Sequence, residues 1–399
     1  MIEYSLRDST ETDIAMDFRE NGIDDIPFSH LLIAIKGFDL GFLEEKFHRS
    51  KTGVSLGMPE EIPRSIGRIS CLPLLEGMDH INARYLNQTS LIDFISQEPR
   101  DFTKYQDGYY VLVDGFLLQT DRKGDVTNKY PHPYLHEPHS IFPDKTGRYF
   151  VITASGCDSL VVFDAEEKNF QVKWTGYDNG YNYSIGSDHK VLFSDGVSVD
   201  GSQLGDGLPN INMERDNPRP LTTGQQTTHI NSACFAADNQ TIYATLFATH
   251  VENTDSGGII GHSGGKLLAI SPDGSTKEIL KELSNPHSIT PLGNDTYALA
   301  NTSEGKIYFY EANPVNHDFK RVNVLSFRNL PGNLRGGKEW IQSFKISYDD
   351  PGKMWMTVAD GARHCIHILN LNDRTRYRLH HPDQWAVQNV QVITNTPQG

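Results

Sequence analysis

Residues 285–311 read NPHSIT-PLGND-TYALANT-SEG-KIYFYE: a polar start, a short apolar strand, a turn, a strand ending in small polar residues, then a strand ending in an acid. The same unit recurs at 137–164 (EPHSIF-PDKTG-RYFVITA-SGCD-SLVVFD) and 340–370 (WIQSFKI-SYDDPG-KMWMTVA-DGAR-HCIHILN). It returns at 229–272 (HINSACF-AADNQ-TIYATLF, a long insert, then GKLLAISP), and in degenerate form at 181–196 (YNYSIGS-DH-KVLFSDG). A sixth copy starts at HINARYL (80–86), with later strands in 108–119. Short β-branched or aromatic runs broken by turn pairs predict antiparallel β structure, and repetition at this spacing predicts a propeller of four-stranded blades.

The second residue after each start forms a column, Asn82, His139, Tyr183, Asn231, His287 and Gln342, with gaps of 57, 44, 48, 56 and 55 residues. After the last unit, 384–393 supplies one strand, so its blade needs partners from the other chain end, SHLLIAIKG (29–37) and FDLGFLEEK (38–46). Such closure removes open sheet edges. The expectation is an all-β, seven-bladed β-propeller whose last blade is closed by N-terminal strands, with six blades as the alternative. Residues 1–27 form a cap segment and 28–399 a single propeller domain, with 48–79 irregular and 248–265 a lid-like insert. Helical periodicity is confined to the first thirty residues and to 90–98.

The PHSI-type starts followed by DG-turned strand pairs resemble the class of NHL-, YVTN- and strictosidine-synthase-like propellers, over most of 70–399. The resemblance implies architecture and use of the central funnel, not a reaction.

Composition narrows the partner. The 399 residues carry 36 Lys+Arg against 51 Asp+Glu, a net charge of −15. That excess of acid disfavours nucleic acid and anionic membrane. No apolar run is long enough to span a bilayer, and the acidic N-terminus has no secretory pattern. Four dispersed cysteines, Cys71, Cys157, Cys234 and Cys365, fit free thiols in a reducing compartment. The expected location is cytoplasmic, and the expected partner is a small-molecule substrate.

The first strand of each blade lines the axis, and residues two apart share a face. The outer layer then comprises His80, Glu137, Tyr181, His229, Asn285 and Trp340, above the column already given. Four of the protein's 16 histidines fall in these 12 positions, where an even spread over 399 would place about half of one. Long connections, 124–138, 201–228, 248–265 and 329–339, also gather at one face. Imidazoles converging on one axis suit zinc, iron or manganese. The candidate metal ligands are therefore His80, His139, His229 and His287. Glu137, Tyr181, Tyr183 and His139 are candidate catalytic residues, and Asn82, Asn231, Asn285, Trp340 and Gln342 candidate substrate contacts. Metal-assisted lyase or hydrolase chemistry is the leading reading. Metal-dependent oxidative cleavage, metal-free acid–base chemistry by a His/Glu/Tyr set, and a non-catalytic protein-interaction scaffold are the competitors.

Overall fold

In a computed structural model, the structure describes residues 11–22, 25–51, 66–89, 92–179, 228–247, 264–349 and 352–393, together with 181, 183–185, 190–193, 198–200, 218 and 226. Six four-stranded antiparallel blades close a ring. Their inner strands, in ring order, are Asp101–Tyr105, Pro138–Pro143, Ile230–Phe235, Pro286–Gly293, Ile341–Tyr348 and Ala386–Ile393, here blades 1 to 6. Middle strands such as Ser159–Asp164 and Cys365–Asn370 are buried along their whole length, as sheets covered on both faces require. The core lies between neighbouring blades: Leu299, Tyr297 and Tyr308 of blade 4 pack with Cys234, Tyr243 and Leu267 of blade 3. The propeller expected from the repeats is thus formed.

It has six blades, not seven. The 181–196 unit forms a three-stranded sheet, Tyr183–Ile185, Lys190–Phe193 and Ser198–Asp200, whose strands of three or four residues are too short for a blade. Blades 2 and 3 meet directly: Ala233 N–H donates to Ser140 Oγ at 3.3 Å, and Thr153 Oγ1 donates to the Asn231 carbonyl at 3.1 Å. Nothing fits between them.

Blade 1 begins at Glu98-Pro99-Arg100-Asp101-Phe102, not at HINARYL. Residues Ala83–Thr89 form a helix, and Asn82 Oδ1 accepts the Tyr85 N–H at 2.9 Å across its first turn. Blade 6 is closed by N-terminal strands as expected, His30–Gly37 pairing with Ala386–Ile393. Its other two strands are Ile66–Pro73 and Ile92–Gln97, so part of the supposedly irregular stretch and the supposed helix at 90–98 are β. FDLGFLEEK instead enters the helix Leu40–Lys51, because Asp39 Oδ1 accepts the Phe42 N–H at 2.8 Å and good helix formers follow. In the cap segment, Glu11–Asp13 and Arg19–Glu20 add parallel fifth strands to the outer edges of blades 4 and 5. Between them Ile14 and Phe18 are buried in the core those blades share. Most of the lid-like insert, 248–263, lies outside the described residues.

Inner strands face the axis with an unpaired edge, whose backbone groups need partners. Side chains of adjacent blades supply them. Asp101 Oδ2 accepts Ile141 N–H at 2.9 Å, Ser140 serves Ala233, and Ser232 Oγ accepts Ile289 N–H at 3.1 Å. Carbonyls are met by Thr302 (Ile341, 2.9 Å), Ser343 (Gln388, 2.8 Å) and Thr357 (Val390, 2.9 Å). Asn389 donates to Asp101 and closes the circle. Lys345 Nζ of blade 5 pairs with Asp101 Oδ1 of blade 1 at 3.2 Å.

Asp101→Ala should therefore lower unfolding free energy by about 2–4 kcal/mol, because it strands a partly buried ammonium and three donors. Urea unfolding measures this. A cost below about 1 kcal/mol would show that the belt does not bear on stability.

Candidate active site at the axial mouth

The axial column is Arg100, His139, Asn231, His287, Gln342 and Gln388, one residue per blade in the frame Pro/Ile/Val-x-Ser/Asp/Asn. In blades 2 to 6 the ladder slips at this residue, between Pro138 and Ser140, Ile230 and Ser232, Pro286 and Ile289, Ile341 and Ser343, and Val387 and Asn389. A bulge places two successive side chains on one side. One can then point to the axis while the next bonds the neighbouring blade. Two residues earlier, Glu98, Glu137, His229 and Asn285 have φ of 42°, 43°, 44° and 57°. Left-handed backbone at four equivalent non-glycine positions is strain of the kind that gathers at functional sites.

His139 and His229 touch edge to face at 4.7 Å between centroids. Phe247 lies between His229 (5.3 Å) and His287 (5.2 Å), and Trp340 sits 5.4 Å from His287 with Arg335 stacked on it. Below, a cavity of about 30 Å³, room for one or two waters, is lined by His139, Asn231, His287, Gln342 and Asp101 among others. His139 Nε2 and Asn231 Oδ1 are buried without a hydrogen-bond partner.

Hydrogen bonds fix two tautomers. Gln226 Nε2 donates to Glu137 Oε2 at 2.7 Å, so Gln226 Oε1 faces His229 Nδ1 and accepts its proton. Thr302 gives its hydroxyl proton to the Ile341 carbonyl and so accepts from His287 Nδ1 at 2.9 Å. Both rings therefore carry their lone pair on Nε2. Burial, with repulsion from neighbouring histidines, Arg100 and Lys36, holds His139 and His229 well below the usual imidazole value. Burial pushes His287 down to about 4. All three are neutral at physiological pH.

At one side of the mouth Glu98 meets three cations: Arg100 at 3.0 Å, Lys36 at 3.7 Å, and Lys46. Burial alone would raise its pKa, but these charges hold it at about 2. Burial and the adjacent Arg100 lower Lys36 to about 8, against the pull of Glu98 and Glu137.

Of the expected residues, the fold gathers Glu137, His139, His229, Asn231, His287, Trp340 and Gln342 at the mouth. Asn285 is buried there in a structural role, its Oδ1 accepting from Ser303 at 2.7 Å. The others are elsewhere. His80 is exposed, paired with Asp79 at 2.8 Å and stacked on His380 of blade 5's fourth strand, and Asn82 caps its helix. Tyr181 donates to Glu278 on the outermost strand of blade 3 at 2.9 Å. Tyr183 opens the small sheet, and its side chain lies outside the described residues. Lys36, Glu98, Arg100, Gln226 and Phe247 are the additions. The run Glu98-Pro99-Arg100-Asp101, parallel to Glu137-Pro138-His139-Ser140, is the signal that marks blade 1.

A shared ion at about 2.1 Å from each nitrogen requires donors within about 4.2 Å of one another. Among the described residues, the one group of three His, Cys, Asp or Glu donors within 4.8 Å is Asp360, Cys365 and His367, buried in blade 5. These donor types suit a first-row metal, but Arg363 already supplies the positive charge. It lies 3.0 Å from Asp360 Oδ2 and is bidentate to Glu339. The three axial histidines do not form such a group, and Lys36 and Arg100 oppose a cation beside them. They do not fit a resident metal.

No family model and no curated protein matches the sequence. Among solved structures, the chain resembles one in a nidogen/laminin complex (11% identity, TM-score 0.48, covering 91% of this chain and 97% of that one). It also resembles a periplasmic gluconolactonase of Pseudomonas aeruginosa (11%, 0.42, 83% and 81%) and the calcium-binding protein regucalcin of Agrobacterium tumefaciens (8%, 0.41, 71% and 77%). Likenesses this distant carry no argument about chemistry. No helix among the described residues is long and apolar enough to cross a membrane.

Because the folded protein keeps His287 neutral down to about 4, the unfolded chain takes up its proton first as pH falls. Stability supplied by this site is complete above about pH 6.5 and drops by roughly 3 kcal/mol by pH 4. Denaturant titrations across that window should show His287→Gln with a shallower slope than wild type. Identical slopes would mean the ring is solvated.

Proposed function

We propose that the protein is an enzyme that acts on a small organic molecule at the axial mouth by imidazole acid–base chemistry, hydrolysis first and lyase chemistry second. The observation that carries this reading is the chain Glu137–Gln226–His229, which fixes the base's tautomer beside His139, whose buried Nε2 has no partner. His229 Nε2 takes a proton from water or from substrate carbon. His229, now an imidazolium, returns that proton to the departing group, while His139 Nε2 contacts the reacting group. Glu137 acts through Gln226 as a positioning residue, the role a carboxylate commonly plays behind an imidazole. Phe247 and Trp340 wall the site. Four buried, unpaired cysteines suit a reducing compartment.

Small esters and lactones, neutral and acidic, offered to untagged protein test it. His229→Gln and His139→Gln should lower kcat by about a hundredfold or more with Tm unchanged, and a chelator should leave the wild-type rate intact. No turnover of any member, or full activity in both variants, would overturn the reading. So would stoichiometric zinc, iron or manganese that is lost in His139→Ala.

A further inference from the structure

We propose that the axial mouth recognises a small organic anion, a carboxylate or phosphate ester, through Lys36 and Arg100. This deepens the reading just given by naming the substrate class.

The charge pattern carries it first. Three cations converge on Glu98, with side-chain exposures of 5% for Arg100, 20% for Lys46 and 23% for Lys36. The other carboxylate acting on Lys36 is Glu137, which also receives the Gln226 amide. Among the described residues, three cations sharing two carboxylates leave a positive surplus at the mouth of a protein whose net charge is −15. Partly buried charge without a counter-charge is costly, and an arriving anion removes that cost.

Hydrogen-bonding capacity points the same way. None of the six column residues is acidic, and five of them, Arg100, Asn231, Gln342, Gln388 and a suitably protonated His139, can donate. Arg100 Nε and His139 Nε2 are both buried without a partner. Arg100 holds the blade 1 column position beside Asp101, whose carboxylate reaches Ile141, two residues beyond His139. Arg100 and Lys36 both act electrostatically on His139 and His229. An anion here would cancel part of that repulsion and raise both imidazoles towards a useful basicity.

Calorimetry on the full chain, with succinate, inorganic phosphate and neutral succinamide as probes, decides the matter without requiring turnover. Succinate or phosphate should bind and raise Tm, and succinamide should do neither. Preference for succinate assigns a carboxylate, and preference for phosphate a phosphate ester. Arg100→Gln and Lys36→Gln should each weaken binding by about tenfold or more, with Arg100→Lys intermediate because it keeps the charge and loses the fork. Wild type supplies a test free of folding artefacts. Lys36, which faces Arg100, Lys46, Glu98 and Glu137, loses its proton around pH 8. Affinity should therefore fall up to about tenfold from pH 7 to pH 9, and that fall should vanish in Lys36→Gln. No binding of either anion, equal binding of succinamide, or wild-type affinity in both variants would overturn the proposal. His229→Gln separates the two readings: anion binding that persists while turnover is lost supports both. Anion binding with full turnover in that variant and in His139→Gln would refute the acid–base assignment alone.

Discussion

A ring of sheets has one edge it cannot hide. Each inner strand presents its last row of backbone groups to the axis, where no further strand can pair with them. Here the row is satisfied sideways. Asp101, Ser140 and Ser232 accept N–H groups of the next blade, while Thr302, Ser343 and Thr357 donate to its carbonyls. Residues that do this must be short and polar, and Asp101, Ser140, Ser232 and Ser343 come immediately after the residue that faces the axis, whereas Thr302 and Thr357 reach in from outside the inner strands. That requirement explains the recurrent serine better than any catalytic role would.

The same requirement leaves the axis available for chemistry. Because a ladder slip lets two successive side chains share a face, the belt and the column do not compete for positions. The column can vary among arginine, histidine, asparagine and glutamine without loosening the ring. Beside it, the Lys345–Asp101 pair ties blade 5 to blade 1. The left-handed residues at the blade entries turn the chain sharply enough to bring Glu98, Glu137 and His229 over the column.

The units at 137–164, 285–311 and 340–370 were legible because nothing interrupts them, and each became a blade. Legibility failed where histidine was used as the marker of a blade start. His80 and Asn82 lie in a polar stretch that favours a capped helix, whereas the belt residue Asp101 marks the true start. The pattern Glu-Pro-x-Ser/Asp-apolar carries the structural requirement; the histidine does not. Tyr183 misled for the opposite reason: its unit has the alternation of a strand but too few residues to reach across a blade. Lys36 was beyond reach of any repeat, because it comes from the strand that closes blade 6, and only ring closure carries it to Glu98.

Three neutral imidazoles present a problem as well as an opportunity. A histidine held well below its usual pKa is available as a base at every physiological pH, but its conjugate acid is strong and its affinity for a proton weak. Burial supplies much of this depression and would persist with any ligand. Repulsion from Arg100 and Lys36 supplies part of it and would not. A neutral ligand would leave both contributions in place and the imidazoles poorly basic. An anion seated between the two cations would relieve the second contribution at the moment of binding, so that recognition and activation become one event. The arrangement of Glu98, which holds Lys36, Lys46 and Arg100 together yet neutralises them incompletely, is what makes such coupling physically available at this mouth.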